Sequence, residues 1–192
     1  TATTEIYTLS LPTLFRSDYS YDTAEKLLDI DAGADNFKLI AIIKRKKMKF
    51  YIATDHAGVD LKDYTVELLK EKGHEVIDLG PFSKERVDYP DYAVKVSQAI
   101  LSDIGSHGIL ICGSGIGMSI AANRFSGVRA ALCHDAYTAS VARGHNDANI
   151  LCFGERIIGK GVAESILDAW IEGSFDGGRH TNRVKKIEAI NS

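Results

Sequence analysis

The sequence predicts a Rossmann-like, doubly wound α/β fold: a five-stranded parallel sheet with helices on both faces. Two observations carry this. From Lys49 onward, short apolar runs alternate with amphipathic stretches of helical period. Each run is also apolar nearly throughout, as a strand must be when both faces of its sheet are covered. The elements follow in order. Phe50-Tyr51-Ile52-Ala53 is the first strand, and Leu61, Tyr64, Leu68 and Leu69 mark a helix that Gly73 ends. Glu75-Val76-Ile77-Asp78-Leu79 is the second strand, followed by a turn at Gly80-Pro81 and a helix over 92–104. A central strand at 108–112 leads into a helix over 116–123, and a fourth strand at 128–132 into a helix over 137–143. The fifth strand is 149–153 and the next helix 161–172. Ligands of such folds sit at the carboxyl ends of the strands. That rule puts Thr54-Asp55-His56, Cys112 to Gly117, His134-Asp135 and Gly154-Glu155-Arg156 on one rim.

Composition narrows the class. With 192 residues, 45% hydrophobic and 26% charged, the chain suits one domain with a proper core and is not disordered, collagen-like or a disulfide scaffold. Its longest wholly aliphatic run, Leu39-Ile40-Ala41-Ile42-Ile43, is far short of the roughly 20 residues of a membrane span. A net charge of −3 gives no sign of a nucleic-acid binder. Three cysteines, none in a CxxC pair, read as free thiols of a reducing cytoplasm. Residues 1–47 differ in character: seven acidic and seven basic side chains cancel, and no strand-helix alternation organises them. Their charge order is the reverse of a signal peptide, and they hold too many acids for a transit peptide. They read as a peripheral extension, with a helix near 24–28 and a strand at 37–43. Residues 48–192 form the domain, and Met48 suits an internal start.

The chemistry concentrates in Cys112-Gly113-Ser114-Gly115-Ile116-Gly117-Met118. Glycines at alternate positions between a buried strand and a helix let backbone N–H groups approach an anion, and the helix start adds partial positive charge. A ligand-free turn needs fewer glycines. A dinucleotide fingerprint is the rival reading: Gly113 and Gly115 fit its first two positions, and Asp135 lies 22 residues after Gly113. Met118, however, stands where its third glycine belongs, and the loop follows the third strand rather than the first. Cys112, at the foot of the loop, feels the helix dipole, which favours a thiolate able to act as base or nucleophile. Its position equally suits a small apolar strand residue, the reading adopted for Cys133 and Cys152. Asp55-His56 suits either a helix cap or a polar ligand. His145-Asn146 ends a helix, where histidine is commonly structural. Arg179 and Arg183, spaced i, i+4 behind Gly177-Gly178, would share a helix face suited to a phosphate dianion. Lys185 and Lys186 read as a solvated face.

Together these residues resemble the type B ribose-5-phosphate isomerases. The resemblance runs from about Met48 to the C-terminus, through Asp55-His56-Ala57-Gly58, Asp88-Tyr89-Pro90, the Cys112–Gly117 loop with Ala121-Ala122-Asn123, His145-Asn146, Gly154-Glu155-Arg156 and Gly177-Gly178-Arg179-His180. It implies interconversion of ribose 5-phosphate and ribulose 5-phosphate through a cis-enediolate, in the pentose phosphate pathway, without metal or cofactor. On this resemblance Cys112 is the base that moves the proton between carbons 1 and 2. Some family members use a Glu six residues further on, and Met118 stands there in this chain. Backbone groups of Gly113, Ser114, Gly115, Ile116 and Gly117 would hold the enediolate oxygens, with Ser114 steadying the intermediate. His145 would open the furanose ring, Asp55 orient the sugar, Asn146 bind hydroxyls and Tyr89 line the pocket. Arg156, Arg179, Arg183 and His56 would hold the phosphate. The family's site lies between subunits, so His145, Asn146 and Arg156 would serve a neighbour in a homodimer or homotetramer.

The residues by themselves support only a small phosphorylated ligand with acid-base work. The alternatives are an isomerase of galactose 6-phosphate or allose 6-phosphate, and a non-catalytic nucleotide or sugar-phosphate binding module. No nucleic-acid or membrane partner is expected.

Overall fold

A computed structural model describes residues 47–190. The segments expected at 24–28 and 37–43 lie outside the described residues. Five parallel strands, β1 (Lys49–Thr54), β2 (Glu75–Asp78), β3 (His107–Cys112), β4 (Ala130–Leu132) and β5 (Ile150–Gly154), form one sheet in the order β2-β1-β3-β5-β4. Six α-helices follow in turn: α1 (Val59–Glu71), α2 (Tyr89–Ser102), α3 (Ile116–Ala122), α4 (Ala136–Asn146), α5 (Lys160–Glu172) and α6 (Thr181–Glu188), the last led by a short 3-10 helix (Gly178–His180).

The central strands β1, β3 and β5 are apolar over nearly their whole length because both faces are buried, while the edge strands β2 and β4 are only partly covered. Successive side chains alternate faces. Thus Ile109 and Ile111 enter one core with Phe50, Phe153, Leu167 and Trp170, while Leu110 and Cys112 enter the other with Val96, Met118 and Cys152. Helices α1, α4 and α5 cover the first face, and α2 and α3 the second. Burying these side chains contributes roughly 1.5–3 kcal/mol for each large one.

Three of the boundaries that differ from expectation have a visible cause. Helix α2 starts at Tyr89 rather than 92, because extended Asp88 stands at its N-cap and Pro90 suits a first turn that needs no N–H donor. Strand β4 is shorter than 128–132: the Arg129 N–H is taken by Asn149 Oδ1 at 2.8 Å, so strand pairing starts only at Ala130. Helix α4 runs beyond 143 to Asn146. It ends at Asp147 in the left-handed region (φ 47°), whose carboxylate accepts from Arg129 and Arg143. Among the described residues, no helix is long and apolar enough to cross a membrane.

The chain direction separates two ends of the sheet. At the amino end, the Gly108 N–H donates to Asn149 O, and at the carboxyl end the Glu155 N–H donates to Cys112 O.

Candidate active site

The sheet order reverses direction between β1 and β3, and there the two following loops diverge to opposite faces and leave a crevice. On the β1 side, buried Asp55 turns the chain by accepting the Ala57 N–H at Oδ1, 2.9 Å away. His56 Nδ1 lies 3.2 Å from the Val87 carbonyl oxygen. A carbonyl only accepts, so Nδ1 carries the hydrogen and Nε2 is the nitrogen left for a ligand.

Cys112 closes β3 from the other side and is only 5% exposed. Its Sγ accepts the Gly115 N–H at 3.0 Å, so the loop's own backbone turns a donor toward the sulfur. Gly115 has φ +79°, and a Cβ there would sit 2.9 Å from Phe153 Cα, so the turn excludes any larger residue. Ser114 Oγ accepts the Ile116 N–H at 3.3 Å. The Tyr89 ring lies against Gly117, and the Arg156 side chain runs over Gly113, each close enough to meet a Cβ placed there. Glu155 is a residue that the sequence did not single out for a role. Its Oε2 accepts the Leu61 N–H at 2.9 Å and fastens the β5 loop to the first turn of α1. Gly154 lets that loop touch the Cys112 loop: a Cβ on it would fall 2.5 Å from Ser114 Cα, a backbone atom that moves only at a cost. Gly154→Ala is therefore expected to cost on the order of 1–3 kcal/mol and to displace Ser114. Thermal unfolding combined with turnover of the surviving fold checks both effects.

Other residues fall away from the crevice. Met118 is fully buried in the core with Val96, Leu110 and Ile150, so that position faces the interior. Burial pushes the Cys133 thiol up to about 11 and holds the Cys152 thiol well above the usual thiol range, in keeping with inert core residues. Asp135, the acid of the dinucleotide reading, instead caps α4 by accepting the Thr138 N–H at 2.7 Å.

The second group of expected residues gathers at the amino end. Helix α4 leaves the carboxyl rim and descends, so His145 and Asn146 in its last turn lie beside the start of β5. His145 stacks on His180, with ring centroids 4.3 Å apart and planes 7° from parallel, and its Nε2 lies 3.8 Å from Asp176 Oδ2. The Arg179 Nε–H donates to His180 Nε2 at 3.3 Å. Arg179 stands in the 3-10 helix and Arg183 in the first turn of α6, which follows it directly. Glu188 pairs with Arg129, which holds α6 at this same end. Four residue steps of β3 separate the two ends, about 13 Å along the strand. One chain therefore does not bring His145, Asn146, Arg179 or Arg183 to its own Cys112. Arg156 departs from its grouping with His145: it stays beside Gly113 of its own chain rather than at the amino end.

His145, Asp176 and His180 offer metal-ligand atoms within 4.8 Å of one another. The stacked rings oppose chelation, since each lone pair lies in its own ring plane and parallel planes share no point for an ion. Arg179 and Arg183 add positive charge against His180. Neither Asp176 nor His180 was assigned a role from sequence. No spacing rule links them to His145, more than thirty residues earlier.

Residues 50–187 match the family model for ribose/galactose isomerases. The chain is 49% identical over 145 residues to ribose-5-phosphate isomerase B of Escherichia coli, covering 76% of this chain and 96% of that one. It is 49% identical over 141 residues to a putative sugar phosphate isomerase of Bacillus subtilis, covering 73% and 95%. Among solved structures, ribose-5-phosphate isomerase B of Clostridium thermocellum superposes with a TM-score of 0.73 at 50% identity, over 74% of this chain and 97% of that one. The Thermotoga maritima ribose 5-phosphate isomerase gives 0.72 at 52% identity, over 74% and 98%.

Proposed function

The chain belongs to the ribose/galactose isomerase family, and on that premise we propose that it is an aldose-ketose isomerase interconverting ribose 5-phosphate and ribulose 5-phosphate, with Cys112 as the base. The observation that supports this reading best is the Cys112 sulfur at the foot of the glycine loop, accepting the Gly115 N–H, with Arg156 over Gly113 and Tyr89 against Gly117 of the same loop. The relatives named for the pentose phosphate favour it over a six-carbon sugar phosphate or a nucleotide. The enzyme is read as cytoplasmic and independent of metal and cofactor.

In this reading the Cys112 thiolate takes the proton from carbon 2 of the open-chain aldose and returns it to carbon 1, while a hydroxyl proton moves from the carbon-2 oxygen to the carbon-1 oxygen. The intermediate is a cis-enediolate. Negative charge develops on its oxygens, and the backbone N–H groups of the 113–117 loop meet it, with Ser114 beside them. One such donor is worth about 3–4 kcal/mol in other enzymes. His145 opens the furanose ring and Asn146 binds hydroxyls, both supplied by a second copy of the chain, because each copy carries these groups at the far end of its sheet. Arg179 and Arg183 arrive with them and hold the phosphate together with Arg156 and His56. The assembly is a homodimer, or a tetramer built of such pairs.

Turnover of ribose 5-phosphate by the purified protein, with EDTA present, tests the activity and its metal independence together. Absence of turnover, with activity on a six-carbon sugar phosphate, would overturn the substrate assignment. Arg183→Ala is expected to raise KM about tenfold through the lost charge-assisted bonds to phosphate and to leave kcat nearly unchanged. An unchanged KM in steady-state kinetics would assign Arg183 to solvent. A chain begun at Met48 is expected to fold and turn over, since Met48 is buried and its carbonyl accepts the Glu75 N–H at the edge of the sheet. Circular dichroism and the same assay check it.

A further inference from the structure

His180 is buried, with 7% exposure, and touches two groups of the amino-end half-site through two different parts of its ring. Its face stacks on His145, and its Nε2 accepts the Arg179 Nε–H. We propose that His180 is a positioning residue that holds the His145 imidazole by stacking and aims the Arg179 guanidinium by hydrogen bonding. The inference rests on the reading of His145 as the ring-opening group.

The backbone is built to deliver this ring. The Asp176 N–H donates to Gly144 O at 2.9 Å and pins the returning segment to the last turn of α4. Gly144 allows the approach, since a Cβ there would press within 3.1 Å of the Asp176 carboxylate. Gly177 and Gly178 then turn through positive φ, and the 3-10 helix sets the His180 ring against His145. With Nε2 accepting, the hydrogen of a neutral ring sits on Nδ1. Burial pushes His180 toward that neutral form, and nearby His145, Arg179 and Arg183 push the same way against the opposing carboxylate of Asp176. A neutral ring steadies His145 without adding a positive charge to it. Binding Nε to His180 also leaves the two terminal nitrogens of Arg179 for an anion, in one orientation. One side chain thereby sets the spacing between the group that opens the sugar and the group that grips its phosphate.

Two variants separate the two contacts. His180→Phe keeps a stacking ring and loses the acceptor, and His180→Ala loses both. His180→Phe is expected to raise KM for ribose 5-phosphate, and the inhibition constant of inorganic phosphate, about tenfold, with kcat within about twofold of the parent. His180→Ala is expected to show the same rise and also a drop in kcat of roughly ten- to a hundredfold. Its His145 Cε1 proton should move downfield in NMR spectra as the ring current is lost, while His180→Phe keeps that proton shielded. Equal losses of kcat in the two variants, or parental constants in both, would overturn the inference; so would a common fall in melting temperature with kcat and KM moving together. If His145→Asn keeps parental turnover, the ring-opening reading falls. The His145 proton shift and the phosphate inhibition constant then still decide whether His180 positions both groups.

Discussion

Cys112→Ala is expected to lower kcat for ribose 5-phosphate by about 10² to 10⁴, the usual contribution of a positioned general base, while substrate binding stays close to parental. The sulfur stands at the end of β3 where the glycine loop turns, and the substitution removes that one atom while leaving the backbone donors of residues 113–117 and the arginines in place. The loop should keep its shape, because Gly115 and the contact between Gly154 and Ser114 still hold the turn when the Gly115 N–H loses its sulfur acceptor. Cysteine and alanine are both small and apolar, so the loss of stability should be modest. Steady-state kinetics with a competitive phosphate inhibitor separates the two effects: kcat falls and the inhibition constant holds. Near-parental turnover would remove Cys112 from the chemistry. Met118 could not take its place, being fully buried in the apolar core.

Mixing two inactive proteins is expected to restore activity. Cys112→Ala leaves the amino-end half-site intact, and His145→Asn leaves the carboxyl-rim half-site intact. A two-fold dimer places one half-site of each kind in every site. A mixed dimer therefore holds one site with both defects and one with neither. After equal parts are unfolded together and refolded, half of the dimers are mixed, and about a quarter of parental turnover should return. The separation of the half-sites by the height of the sheet is what drives this expectation. If each chain worked alone, no mixture would gain activity over its components, and a null result with verified subunit exchange would overturn the shared site.

The resemblance to type B ribose-5-phosphate isomerases and the local pattern of the chain made much of this legible. Each strand end carries its rim residues within a few positions, so Asp55, His56, Cys112 and Arg156 could be placed on one rim from the alternation of strands and helices. One departure arose where a distant partner intervened. Strand β4 lost its first two residues to a side-chain contact from Asn149, while Asp135, the acid of the rival dinucleotide reading, caps α4.

What the sequence determined by itself was the set of elements, their parallel sense and the carboxyl rim. Those follow from hydrophobic periods of two and 3.6 residues and from glycines at strand ends, which are short-range properties of the chain. The order β2-β1-β3-β5-β4 was decided only by the tertiary structure. So were the fastening of the β5 loop to α1 by Glu155 and the gathering of His145, Asp176, Arg179 and His180 at the opposite end. The contacts of Glu155 with Leu61 and of His145 with Asp176 and His180 join residues tens of positions apart, and no local spacing encodes them. They exist because helices packed on a twisted sheet leave particular ends and edges facing one another.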